Sequence, residues 1–274
     1  MYLTDKQVDE YNENGFIYPI DILSKLEIED VKNEIDKIEK SWPDQIDAAN
    51  RNNMHYYSPI FDNIAHNSKL LDSVESLIGK NILVAGSTLF MKEPDNKGFI
   101  SWHQDGYYQG WEPYNYVTAW LAITEVTEEN GCMWMWPKSH KENFKEHKDS
   151  VNENNLLTRG QTISNVPIDE TVPIILKPGQ LSIHHPLTVH SSGTNKSKKR
   201  RIGFAIQSYI PPYIKQLNGK TFVQLARGND ELNYHVHTNR PISFMDEIDL
   251  KSRDEANIEL QKILYKGAKK IGKY

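Results

Sequence analysis

The stretch "NILVAGSTLFMKE", residues 81–93, marks where the chain changes its period. Before it, apolar residues recur at helical spacing. Thr4 is placed to cap a short helix that ends at Gly15, and "FIYPI" then reads as a short strand. "SKLE", residues 24–27, has the capping-box pattern and opens a helix with Leu26, Ile28, Val31, Ile35 and Ile38 on its apolar positions. A further helix fits 68–79 and stops at Gly79. From residue 81 onward the pattern becomes short β-rich runs: "YVTAWLAITEV", "CMWMWP", "TVPIIL", "QLSIHH" and "RIGFAIQSYI", separated by Pro, Gly and Asn. Helices first and many short strands after predict a mainly β fold with helices (α+β). The expected form is a β-sandwich or barrel with the N-terminal helices packed on one sheet. The tail from about 253 is amphipathic and reads as a helix.

The bulk numbers narrow the class. The 274 residues and 38% hydrophobic content suffice for one large domain, taken here as 1–274. A net charge of −5 makes nucleic acid and anionic membranes poor partners. The one strong basic run, Lys196 to Arg201, is short and lies in a turn-like segment. A single cysteine, Cys132, excludes an internal disulfide and a cysteine-rich zinc site. The N-terminus is polar from its fourth residue, unlike a signal peptide, and no apolar run approaches the roughly 20 residues of a membrane span. The expected location is cytoplasmic; oligomeric state is not legible.

"SWHQDGYYQGW", residues 101–111, holds His103 and Asp105 two apart. On a strand they would share one face. By itself H-x-D reads as a structural pair. With His190, at the end of "LSIHHPLTVH", it would make a two-histidine, one-carboxylate set that leaves three coordination positions open, as non-heme Fe(II) oxygenases require. After His190, a ten-residue connection leads to a strand with Arg201, Gly203, Ala205 and Gln207 on one face and Ile202, Phe204 and Ile206 on the other. Arg201 thus shares a face with two very small residues, which predicts space for a ligand and a guanidinium able to take a carboxylate bidentately. Arg200 has the wrong parity and should face away.

"WHQD", "ENGCMWMWPKSHK" and the spacing His190, Ser192, Asn195, Ser197, Arg201 resemble the phytanoyl-CoA dioxygenase (PhyH) family, as does the opening "LTDKQVDEYNENGFI". The resemblance implies a double-stranded β-helix (jelly roll, cupin-like) and an Fe(II)/2-oxoglutarate-dependent oxygenase. It would use O2, convert 2-oxoglutarate to succinate and CO2, and hydroxylate a small-molecule metabolite. It implies His103, Asp105 and His190 as catalytic iron ligands and Arg201 as the partner of the distal carboxylate of 2-oxoglutarate. Ser192, Trp120, Gln104 and Lys92 are implied around that co-substrate. Gln180 stands where an aspartate is more usual, and Lys138 where a glycine is common.

Substrate contacts are expected from Tyr107, Tyr108 and Trp111 in the aromatic run, and from Arg227 in "LARGND". Aromatics beside acids suit a polar or cationic metabolite by cation–π contact, as in tailoring of a secondary metabolite or toxin. His140 reads as a structural histidine, His184 and His185 as core or supporting groups, and His235 and His237 as an H-x-H pair of open role. Asp105 fills the site that a halogenase leaves for chloride, so hydroxylation ranks above halogenation. Desaturation and ring closure by the same chemistry stay open, as does a non-catalytic, metal-containing β-barrel binding protein. Turnover of 2-oxoglutarate would separate these last two.

Overall fold

The computed structural model describes residues 2–266 except 49, 96, 151, 158 and 159. Among these residues there are six α-helices: α1 (Asp5–Asn14), α2 (Lys25–Ser41), α3 (Pro59–Ala65), α4 (Ser68–Ile78), α5 (Gly106–Gln109) and α6 (Glu247–Leu264). Among the described residues no helix is long and apolar enough to cross a membrane. The two N-terminal capping boxes form: Thr4 and Ser24 each accept a hydrogen bond from the backbone three residues on, with Gln7 and Glu27 reciprocating. Each such cap stabilises its helix by about 1 kcal/mol. Gly15 closes α1 at φ 85°, where a side chain would be strained.

The strands form two principal sheets. The larger runs Phe16–Asp21, Gln180–His184, Val117–Ala122, Arg201–Ile210, Ile82–Val84, Phe222–Arg227 and Val236–His237, with Ser87–Lys92 also paired to Arg201–Ile210. The smaller runs Val172–Ile174, Met133–Met135, His190–Ser192 and Ile100–His103. Alternation sorts the larger sheet into two faces. Val117, Ala119, Leu121, Ile183, Ile202, Phe204 and Ile206 join one apolar cluster with Val31, Ile35 and Ile38 of α2, Phe61 of α3 and Leu70 of α4. Phe61 and Phe204 rings meet at 4.8 Å, and the Tyr209 hydroxyl donates to the Ala65 carbonyl at 2.7 Å. The residues of opposite parity, Trp120, Ala122 and Ala205, pack instead toward Cys132, Met133 and Met135 of the smaller sheet.

Two details depart from the sequence reading. Leu26 is exposed, because it lies about 200° around α2 from Ile28 and so points away from the buried stripe. The C-terminal helix begins at Glu247, six residues earlier than expected, where the Asp246 carboxylate caps the Ile248 amide. Its expected tail beyond 266 lies outside the described residues. In the basic run Lys196, Lys198 and Lys199 are exposed, and the connection is anchored from its start. Asn195 is buried, donates to the carbonyls of Lys92 at 3.0 Å and Lys199 at 2.8 Å, and accepts from the Ser197 amide at 2.9 Å. These bonds shape the connection that delivers Arg201. Lys138 has φ 66°, which accounts for glycine being common at that position.

Candidate active site

His103 and His190 reach one another as direct cross-strand partners of the smaller sheet. Their ring centroids lie 4.1 Å apart. His103 Nδ1 donates to the Ser101 carbonyl at 2.8 Å and His190 Nδ1 to the Thr188 carbonyl at 2.9 Å. A carbonyl only accepts, so each Nδ1 carries a proton and each Nε2 is left facing inward, the ring orientation that metal binding needs. Asp105 arrives by a different route from the one expected. The strand ends at His103, and Asp105 has helical backbone (φ −56°, ψ −44°) at the entry to α5. A turn rather than strand parity therefore aims its carboxylate, with the Gly106 amide donating to the Pro186 carbonyl at 2.9 Å.

Asp105 Oδ1 lies 3.3 Å from His103 Nε2 and 3.7 Å from His190 Nε2, and ligand atoms of all three residues fall within 4.8 Å of one another. The other oxygen, Oδ2, is held from behind by His184 Nε2 at 3.3 Å and by the Thr118 hydroxyl at 3.0 Å. Burial alone would raise the pKa of the Asp105 carboxyl. His190, His103 and His184 together outweigh it and hold the group well below the usual carboxylate range. Burial, with His103 beside it, pushes His190 down to about 3, so its imidazole is neutral. A carboxylate and two imidazoles of this geometry make a three-donor face suited to a divalent metal.

Arg201 lies in the same cavity. It is 2% exposed, stacks over Trp120 at 4.6 Å, and its Nε has no hydrogen-bond partner. Among the described residues no carboxylate pairs with it. Lys92, the cross-strand partner of Arg201, is equally buried and donates to Ser192 Oγ and the Gly193 carbonyl. Burial, then the charge of Arg201, pushes Lys92 down to about 6. Burial likewise lowers Arg201 to about 10. Charging a buried amine beside a buried guanidinium without an acid is costly, and a bound carboxylate would relieve that cost. The residues present therefore fit both an iron ion and a 2-oxoglutarate molecule.

The family's sequence profile, phytanoyl-CoA dioxygenase (PhyH), matches residues 11–203. The chain belongs to this family. It is 27% identical over 165 residues to a probable alpha-ketoglutarate-dependent hypophosphite dioxygenase of Stutzerimonas stutzeri, a match covering 58% of this chain and 57% of that protein. The chain thus spans less than two thirds of that relative's length. Among solved structures, the apo form of the non-heme monooxygenase ThoJ superposes with a TM-score of 0.85 at 27% identity, covering 95% of this chain and 98% of its own. CytC3 with Fe(II) and alpha-ketoglutarate shares the fold, with a TM-score of 0.67 at 23% identity over 86% of this chain and 93% of its own.

The other residues singled out from this PhyH-family sequence fall in different places. Trp120, Ser192, Tyr108 and Trp111 line the cavity of about 160 Å³ that holds the triad. Gln104 does not. It is fully buried, donating to the Leu187 carbonyl at 2.8 Å and accepting from the Lys145 amide at 2.8 Å, so it fixes the loop behind the ligands. Tyr107 turns outward and stacks on His147 at 3.9 Å. Arg227 is on the far side, paired with Asp72 and Glu75 of α4 at 2.8 Å each. Arg200 points to the helices, bonding Glu93 at 2.7 Å and Glu39 of α2. The space beside Gly203 is taken by Trp120, whose Cζ2 lies 1.8 Å from where a Cβ would stand, so the glycine seats an indole rather than a ligand. His140 bonds the Asn12 carbonyl at 3.2 Å, and His237 pairs with Asp230 at 2.8 Å, both away from the cavity. Of the acids near the aromatic run, Glu112 is exposed and Asp105 is turned to the histidines. Thr118 was missed, although its parity with Trp120 on one strand could have found it. The cavity residues Leu156, Leu157, Leu260 and Leu264 carry no local signal.

Proposed function

We propose that the chain is an Fe(II)/2-oxoglutarate-dependent dioxygenase that hydroxylates a small-molecule metabolite, built as one domain on a double-stranded β-helix. The observation that carries this is the pairing, in one cavity, of a two-histidine, one-aspartate cluster with an arginine that lacks an acid partner. His103, Asp105 and His190 would hold the iron. Arg201, with Lys92 and Ser192, would take the distal carboxylate of 2-oxoglutarate, and Trp120 would wall it. When bound, iron, 2-oxoglutarate and O2 supply an oxygen atom for a substrate C–H bond, with succinate and CO2 as the other products.

The chain's own part is placement. The small-sheet strands set the histidines, the turn at Asp105 sets the carboxylate, and the sheet inner face excludes water around the reacting centre. A filled carboxylate position favours hydroxylation over halogenation. The test is anaerobic titration with Fe(II) and 2-oxoglutarate, then admission of O2. Stoichiometric succinate is expected. A chain that binds neither, or binds both and releases no succinate, would overturn the reading in favour of a non-catalytic binding protein.

A further inference from the structure

The outer part of the cavity is built from residues that the triad does not use. Its wall is Leu156, Leu157, Leu260, Leu264, Tyr108 and Trp111. The only charged side chains facing the cavity, among the described residues, are Asp105 and Arg201. Asp105 is turned to the histidines and Arg201 lies beneath Trp120 at the inner end. Among the described residues, a charged substrate group would leave water without a counter-charge to meet it.

One polar side chain is differently placed. The Gln207 amide touches the Thr88 hydroxyl at 2.9 Å through one end. Its other end has no protein partner among the described residues, and the residue lines the cavity. Gln109, by contrast, is spent within the protein: it accepts from the Tyr116 hydroxyl at 2.9 Å and donates to Ser208 Oγ at 3.2 Å.

The leucines of α6 share a helix face with its anchors, Arg253 and Asn257 lying two turns before Leu260 and Leu264. Arg253 is buried over the Tyr57 ring at 5.1 Å, and the Asn53 amide donates to Asn257 Oδ1 at 2.8 Å. Leu260 and Leu264 are four residues apart, hence on one helix face, and that face meets the cavity. The helix lies outside residues 11–203, the part shared with the family.

We propose that the outer cavity selects a neutral small molecule with an apolar body and one hydrogen-bonding group, and that α6 sets this choice through Leu260 and Leu264. The proposal rests on the oxygenase reading for what occupies the inner end. The apolar body lies against the four leucines, and its hydroxyl, carbonyl or amide meets the open end of Gln207.

The test uses the whole chain loaded anaerobically with Fe(II) and 2-oxoglutarate. Three probes of one shape are compared by ligand-observed NMR: cyclohexylmethanol, cyclohexylmethylammonium and cyclohexanecarboxylate. The alcohol is expected to bind at least tenfold more tightly than either ion. Leu260→Glu should weaken the alcohol tenfold or more and strengthen the ammonium ion. Its retained affinity for Fe(II) and 2-oxoglutarate shows that the fold survives. Leu264→Glu, at a second half-buried position, should shift the probes in the same direction. Either ion binding as tightly as the alcohol, no probe binding at all, or an unchanged alcohol affinity in both variants would overturn the proposal. The ranking is read from the probes alone. A parent chain that took no 2-oxoglutarate would thus overturn the oxygenase reading and leave the probes to decide the charge preference of the wall.

Discussion

The two ends of the cavity are made of different material. At the inner end the side chains stand on strands of two sheets and on the turn at Asp105, and hydrogen bonds fix them: Nδ1 of each histidine, Oδ2 of Asp105, Nζ of Lys92. At the outer end the wall is half-buried leucine from a helix and a loop. The difference separates the demands of the reaction. Donor atoms must sit within fractions of an ångström, which strands provide, whereas a fit for an apolar body tolerates exchange of one side chain for another. Changes at the inner end should therefore abolish binding of metal or co-substrate, while changes at the outer end should alter which molecule is accepted.

The largest expected effect is at the triad. His103→Ala, Asp105→Ala and His190→Ala each remove one of three donors and should lose Fe(II) binding and succinate release, while His140→Ala keeps both. Iron titration of the four purified variants decides it, and full occupancy in the first three would break the inner-end assignment. Next comes Arg201→Ala, which would strand a carboxylate in a poorly solvated pocket at a cost on the order of 2–5 kcal/mol. That corresponds to roughly 30- to several-thousand-fold in 2-oxoglutarate affinity. Arg201→Lys should lie between, since it keeps charge and loses the fork. Arg200→Ala, whose partners are Glu39 and Glu93, should stay within a few-fold of the parent.

A smaller effect sharpens the comparison within the inner end itself. Thr118→Val keeps shape and removes one of the two contacts that hold Asp105 Oδ2. Loss of such a supporting contact typically weakens metal affinity by about 10- to 100-fold. An Fe(II) affinity equal to the parent's would mean that the turn at Asp105 suffices without it. The smallest effect is a pH signature. Lys92 sits at about 6, so above that pH it is largely neutral in the free protein. A carboxylate arriving beside it favours the charged form and raises its pKa, so 2-oxoglutarate binding at pH 8 should take up a fraction of a proton. Calorimetry in two buffers of different ionisation enthalpy measures this, and Lys92→Met should abolish it. Proton release instead of uptake would remove Lys92 from the co-substrate end.

Local pattern decided much of the molecule. The caps at Thr4 and Ser24 and the alternation of Arg201–Ile210 could be read from the sequence, because each depends on neighbours a few residues away. That alternation puts Ile202, Phe204 and Ile206 against the helices and Arg201 and Ala205 toward the other sheet. Spacing after His190 likewise predicted that Arg201 and not Arg200 would face inward, since side-chain direction along a strand has a period of two. Where the chain leaves regular structure, this reasoning lost its ground. Asp105 meets His103 through a turn, Gln104 and Tyr107 point away from the cavity because the same turn rotates them, and Arg227 finds its acids on α4. The space beside Gly203 went to Trp120 of the neighbouring strand, a contact 83 residues distant in sequence. Only the tertiary structure could bring Leu156, Leu157, Leu260 and Leu264 to one wall, because an apolar residue on a helix or loop does not announce whether it will face the core or a cavity.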